Sequence, residues 1–369
     1  TGLNDGGAEA VLYRLCKHDI CNEIYVISLM GEGKYGNLLK DLDIEVFTLD
    51  MEASKIRLKH LFTLYSLIQR IKPDIIHSSM IHANFLCSIA VRLRMNVPII
   101  WSIHNSDISI EYNKITTLAV SKICAILSKK IPFKIVYCSE HARNVHERFG
   151  YDKIKSHIIH NGIDCVRFSA DKFSNKLRSI LGVRAETFII GSVGRFHKIK
   201  DYPTFFAAAG IFHKLNPEVH FVLVGDGLTL DNHYLLKLIE ENDIKAVTHL
   251  LGRRTDINKI IASLNISVNT SFDESFSLSM AESMASEVPC VSSDINGVKM
   301  VMGNKIKYAN VGNALDFSNK LDTIYKMSIK QRKSIGVNAR LKIKNNYTVE
   351  KMTDKYLQLY DDIFNNKIY

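Results

Sequence analysis

Two carboxylates set eight positions apart, Glu274 and Glu282, lie in the segment Glu274-Ser-Phe-Ser-Leu-Ser-Met-Ala-Glu282. The small and apolar residues between them predict a helix over Leu278–Ser286, with Glu282 inside it and Glu274 in the loop before it. A helix start has free backbone N–H groups and a positive dipole end. A carboxylate beside such a start suits a polyol that carries phosphates.

Four further groups of residues fit the same ligand. Gly194-Arg-Phe-His-Lys-Ile-Lys200-Asp201 follows an apolar run and puts Arg195 and Lys200 five apart. A planar guanidinium fork and a mobile ammonium together suit a diphosphate, and two cations there remove the need for a metal. Gly6-Gly-Ala-Glu9 precedes a helical stretch over Ala10–Cys16, and Gly6 and Gly7 let backbone approach a phosphate. His104 follows the run Ile99-Ile-Trp-Ser-Ile103, and His77 follows Pro73-Asp-Ile-Ile76. Strand ends in α/β sheets face the ligand crevice, where an imidazole can bond a sugar hydroxyl. The turns Val224-Gly-Asp-Gly227 and Leu251-Gly-Arg-Arg254 complete the set, with Arg253 as a further contact. A helix cap, an exposed basic loop or a surface acid would explain any one of these alone.

The elements that must position them alternate. Strands are expected at 24–29, 44–48, 74–78, 98–103, 134–138 and 157–160. A second series covers 188–193, 219–224, 248–251, 266–270 and 289–292. Runs rich in Val and Ile with helical stretches between them imply parallel sheets and right-handed crossovers. The pattern restarts near 186, and 369 residues are long for one core. The reading is two doubly wound Rossmann-like domains, residues 1–165 and 166–345, followed by a helical tail over 346–369. An apolar strand is expected ahead of the opening glycine loop, which makes the chain a fragment in this reading.

Composition bounds the rest. Mean hydropathy is near zero, and no apolar run reaches the roughly 18 residues of a membrane span. Seven cysteines without a C-x2-C pair read as reduced thiols in a cytosolic protein. The net charge of +10 is uneven: residues 51–155 hold 16 basic against 7 acidic side chains. That segment could face anionic lipid. No basic cluster interleaved with aromatics suggests nucleic acid.

Taken in order, the motifs resemble those of the retaining glycosyltransferases of family 4: a GGxE loop, G-R-x4-K, VGxG, LG and E-x7-E. The segment Asn161-Gly-Ile-Asp164 with Phe168 looks like that family's interdomain N-G-[IV]-D…F. The resemblance implies a GT-B fold with an interdomain cleft, residues 1–165 on the acceptor side, 166–345 on the nucleotide-sugar side and the helix of 346–369 crossing back to the first domain. It implies transfer of a sugar from a nucleotide diphosphate sugar, UDP by default, to an acceptor hydroxyl with retention. It implies no metal and no cofactor beyond the donor. The acceptor would be a lipid-linked saccharide of bacterial surface polysaccharide synthesis, in a cytoplasmic enzyme working at the inner face of the plasma membrane. It also implies roles: His104 beside the transferred sugar, Glu274 on the sugar hydroxyls and Glu282 on the ribose. Backbone N–H groups near Ser277 and Leu278 would meet sugar or phosphate, and Arg253 would lie near the base. Ser275 stands where many relatives have Gly, and Ser286-Glu287 where a small residue and Gly are usual. A nucleotide-sugar 2-epimerase and a non-catalytic scaffold of the same fold are the alternatives.

Overall fold

In the computed structural model, which describes residues 1–52, 56–92, 97–170, 174–303 and 307–368, parallel strands alternate with helices throughout. Tyr369, the last residue of the expected C-terminal helix, lies outside the described residues. The strands are β1 (Tyr25–Ser28), β2 (Glu45–Thr48), β3 (Ile76–Ser79), β4 (Ile99–Ile103), β5 (Lys134–Tyr137) and β6 (Ser156–Ile158). They continue with β7 (Ile189–Val193), β8 (His220–Val224), β9 (Thr248–Leu250), β10 (Ile266–Asn269), β11 (Cys290–Ser293) and β12 (Lys307–Ala309). Each of the eleven expected runs has its strand. β12 was not expected: Lys-Tyr-Ala carries no Val or Ile, and it pairs on one side only, with β11.

The chain divides into two compact units, Thr1–Gly162 with Val349–Tyr369, and Ile163–Thr348. The division lies a few residues from the expected 165 and 345, and hydrogen bonds account for it. The Arg14 guanidinium donates to Gly162 O at 2.8 Å, which keeps that residue with the first unit. Ile163 N–H donates to Tyr347 O at 2.8 Å, and Ile163 bridges Thr348, which assigns both to the second.

The first unit holds a β1–β2 pair and a four-stranded sheet in the order β3-β4-β5-β6. All five residues of β4 are buried, Trp101 among them. Burial on both faces is what its run, apolar except for Ser102, predicts. The final helix, Val349–Ile368, is tied to this sheet: His77 Nδ1 lies 2.7 Å from the Tyr360 hydroxyl, and Ser102 Oγ lies 3.2 Å from that of Tyr356.

The second unit is one six-stranded parallel sheet, β12-β11-β10-β7-β8-β9. Phe206, Phe212, Phe221 and Phe317 are fully buried in its core. The order changes direction between β7 and β10, so the loops after these two strands flank the point where such sheets hold ligands. Among the described residues, no helix is long and apolar enough to cross a membrane.

Candidate active site

The loop after β7 carries Arg195 and Lys200, and its shape is set by backbone bonds. Lys198–Lys200 form a single 3-10 turn. Asp201 then takes a left-handed conformation (φ 49°) and caps the helix Tyr202–Leu215, its carboxylate accepting from Thr204 N–H. The Tyr202 hydroxyl reaches back to donate to Gly194 O at 2.9 Å. After β10, Thr270 Oγ1 donates to Lys200 O (2.8 Å) and Asp201 O (3.0 Å), and Phe272 N–H donates to Ile199 O (2.8 Å). Two loops far apart in sequence are therefore clasped together. Between them lies a small recess lined by Ser192, Val193, Lys200, Tyr202 and residues 268–271.

At the rim, Lys200 Nζ donates to Glu274 Oε1 at 2.6 Å. The same oxygen accepts from Ser271 Oγ (2.9 Å) and Asn269 Nδ2 (3.1 Å). Asn269 Nδ2 also donates to Ser277 Oγ at 3.0 Å, and its Oδ1 accepts from Ser271 N–H at 2.7 Å. Three donors on one carboxylate oxygen hold Glu274 firmly, and its second oxygen takes no part in these bonds. The helix that follows is Leu278–Ala285, one residue shorter than expected. The Ser277 side chain does not cap it, which leaves the first-turn N–H groups to other partners. Glu282 lies inside this helix and is buried. From the other side, Gly297 packs its α-carbon against the Glu274 carbonyl, where a Cβ could not fit.

Arg195 is exposed, and its loop rests on the Val224–Gly227 turn. Gly225 (φ 151°) has no room for a Cβ beside Gly194 and Arg195, so only glycine serves there. Arg253 Nε donates to Asp226 Oδ1 at 2.8 Å on the surface. That bond, aided by the charges of Arg253 and Arg195, holds the Asp226 carboxyl below the usual range.

The remaining predicted residues lie in the first unit. The opening helix is Gly7–His18, not Ala10–Cys16: Gly6 is its extended N-cap, Ala10 N–H donates to Gly6 O at 3.0 Å, and Glu9 falls in the first turn. A carboxylate there favours the dipole, which is why the helix starts early. His104, past the end of β4, is held neutral by burial, its pKa brought down to about 4 against the opposing effect of a hydrogen bond to Asn161. His77, 2.5 Å from Ser102 Oγ, is brought down to about 3 by burial and then by His104. Both line a small, largely apolar recess with Val11, Leu12, Leu15 and Tyr356.

The structure thus gathers Lys200, Glu274, Ser277, Leu278 and Glu282 at one end of the second sheet, with Arg195 on the Lys200 loop. Gly6, Gly7 and His104 belong to the other unit. Sequence reasoning missed Asn269, Ser271 and Gly297. The first two had a signal, the polar triplet Asn-Thr-Ser after Ile266-Ser-Val268; Gly297 had none. Among the described residues, no group of three or more His, Cys, Asp or Glu converges as a metal ion would require.

Two family models match in tandem: Glycosyltransferase Family 4 over residues 5–167 and Glycosyl transferases group 1 over residues 173–342. The UDP-Gal:alpha-D-GlcNAc-diphosphoundecaprenol alpha-1,3-galactosyltransferase of Escherichia coli is 28% identical over 317 residues, 84% of this chain and 81% of that protein. The alpha-monoglucosyldiacylglycerol synthase of Acholeplasma laidlawii is 24% identical over 204 residues, 50% of this chain and 49% of that one. The Anabaena protein HepE, solved with UDP-glucose, superposes with a TM-score of 0.84 at 21% identity, covering 97% of both chains. With both halves matched in order along the two sheets described above, the chain belongs to the family 4, group 1 glycosyltransferases and has their GT-B fold.

Proposed function

We propose that this glycosyltransferase moves a hexose from a UDP-sugar to a hydroxyl of a lipid-linked saccharide, with retention at the anomeric carbon and without a metal. The observation that carries the reading is the Lys200–Glu274 pair at 2.6 Å, set at the start of the helix Leu278–Ala285. A cation, open N–H groups and a carboxylate oriented for a diol match the three parts of a nucleotide diphosphate sugar. UDP and the lipid diphosphate acceptor are supported by the names of the relatives, which specify UDP-galactose, UDP-glucose and a diphosphoundecaprenol substrate.

In this reading Glu274 accepts from the sugar hydroxyls and Glu282 from the ribose diol. Backbone N–H groups at Ser277 and Leu278 bond the sugar or phosphate, Arg253 lies near the base, and the Gly6-Gly7 helix start meets phosphate. Neutral His104 bonds a hydroxyl of the transferred sugar. Arg195 and Lys200 stabilise the charge that grows on the leaving diphosphate. The acceptor oxygen bonds the anomeric carbon on the face the diphosphate leaves, and the acceptor proton passes to a phosphate oxygen. Such a reaction serves surface polysaccharide assembly at the inner face of the cell membrane.

Calorimetric titration with UDP, GDP and ADP tests it. Micromolar binding of UDP alone is expected, weakened at least tenfold, about 1.4 kcal/mol, by Lys200→Ala and by Glu282→Ala. A folded chain that binds no nucleotide refutes the donor site. Product made in EDTA with the donor's anomeric configuration is expected by NMR, and an inverted product refutes retention.

A further inference from the structure

The helix Ile115–Ser128 carries a surface that sugar transfer does not use. At about 100° per residue, Ile115, Lys122, Ile123 and Ile126 fall in one third of its circumference, and Lys129 and Lys130 extend the same stripe. Ile115 is 77% exposed and Ile126 64%. Packing fixes the orientation, because Ser121, Cys124, Ala125 and Ser128 on the opposite side are buried. The loop after Tyr151 is clipped to the helix end: Asp152 N–H donates to Ser128 Oγ at 2.9 Å, and Lys155 Nζ donates to Lys129 O at 3.0 Å. That clip presents Ile154, 89% exposed, beside the lysines. From Tyr112 to Ser139 the chain has five lysines and no acidic residue.

We propose that this face docks on an anionic lipid bilayer, its isoleucines entering the headgroup boundary and its lysines meeting lipid phosphates. Charge complementarity selects this occupant. A second copy presenting the same face would set lysine against lysine. The inference rests on the lipid-linked acceptor proposed above and names how the enzyme reaches it.

Co-sedimentation with phosphatidylglycerol-rich vesicles and with pure phosphatidylcholine vesicles tests it. The chain is compared with an Ile126→Glu/Ile154→Glu variant and a Lys129→Glu/Lys130→Glu variant, each checked for fold by circular dichroism and for UDP affinity. The chain should partition onto the anionic vesicles only. Each variant should lose that partition roughly tenfold or more and keep its UDP affinity. Equal partition of chain and variants overturns the proposal, as does binding indifferent to lipid charge. So does a dimer, seen without vesicles, that the isoleucine variant dissolves. Vesicle binding by a chain that binds no UDP would leave the surface standing and remove the donor reading instead.

Discussion

Replacing Gly297 by alanine adds one methyl group, and the structure gives the consequence a sign. The new Cβ would overlap the Glu274 carbonyl oxygen and stand 2.6 Å from its carbon. Carbon atoms settle at about 3.5–4.0 Å, so the loop must retreat by more than about 1 Å. Overpacking of this kind costs about 1–3 kcal/mol. Gly297 lies in the helix Asn296–Met302, where alanine would otherwise gain up to about 1 kcal/mol. The net expectation is a loss of about 1–2 kcal/mol in urea unfolding. Function should suffer more. The Glu274 carboxylate is held by Lys200, Asn269 and Ser271 and cannot follow its own backbone without stretching those bonds. A misplacement of about 1 Å costs on the order of 100-fold in kcat/KM, about 2.7 kcal/mol. The assay is UDP release from the donor beside urea unfolding, with Gly31→Ala, which meets nothing within 4 Å, as the control. A Gly297→Ala enzyme of unchanged turnover and raised stability would show that this helix does not press on the Glu274 loop.

Two other predictions concern charge. In a double-mutant cycle of Lys200→Met and Glu274→Gln, the pair should show a coupling of about 1.5–2 kcal/mol in urea unfolding followed by circular dichroism, since its side chains are only 23% and 13% exposed; a coupling below about 0.5 kcal/mol would refute a structural pair. The first unit should weaken in acid: burial holds His77 at about 3 and His104 and His146 at about 4, while unfolded imidazoles protonate near 6.5. Its stability is therefore full above about pH 6.5 and falls toward pH 4 by up to about 1.4 kcal/mol per pH unit for each histidine. Trp101, the single tryptophan, is buried in β4 and reports this unit by fluorescence; a urea midpoint unchanged between neutral pH and about pH 5.5 would refute the three neutral histidines.

Strands buried on both faces announce themselves by composition, which is why β4 and β8 could be read from Ile99–Ile103 and from the run ending in Phe-Val-Leu-Val224. Loop residues with a fixed chemical type at a strand end, such as Lys200 and Glu274, were legible for the same local reason. What was not legible depends on contacts between distant segments. Asn269 matters because its amide spans Glu274 and Ser277; its polar stretch marks a strand end but does not name those partners. Backbone conformation explains the two departures from the family pattern. Ser275 is not among the described residues with left-handed backbone, so its Cβ brings no strain, and Gly297 supplies the close approach from the other side. Glu287 does take the left-handed form, at φ 60°, which is the reason glycine is usual there. A side chain at that position costs about 1 kcal/mol or more. Arg340 Nε lies 3.9 Å from its carboxylate and Arg340 Nη2 donates to Cys165 O at 3.0 Å, which places the strained turn in a bonded setting. The substitution that matters for the loop before the helix is therefore not the serine within it but any change at the glycine that faces it.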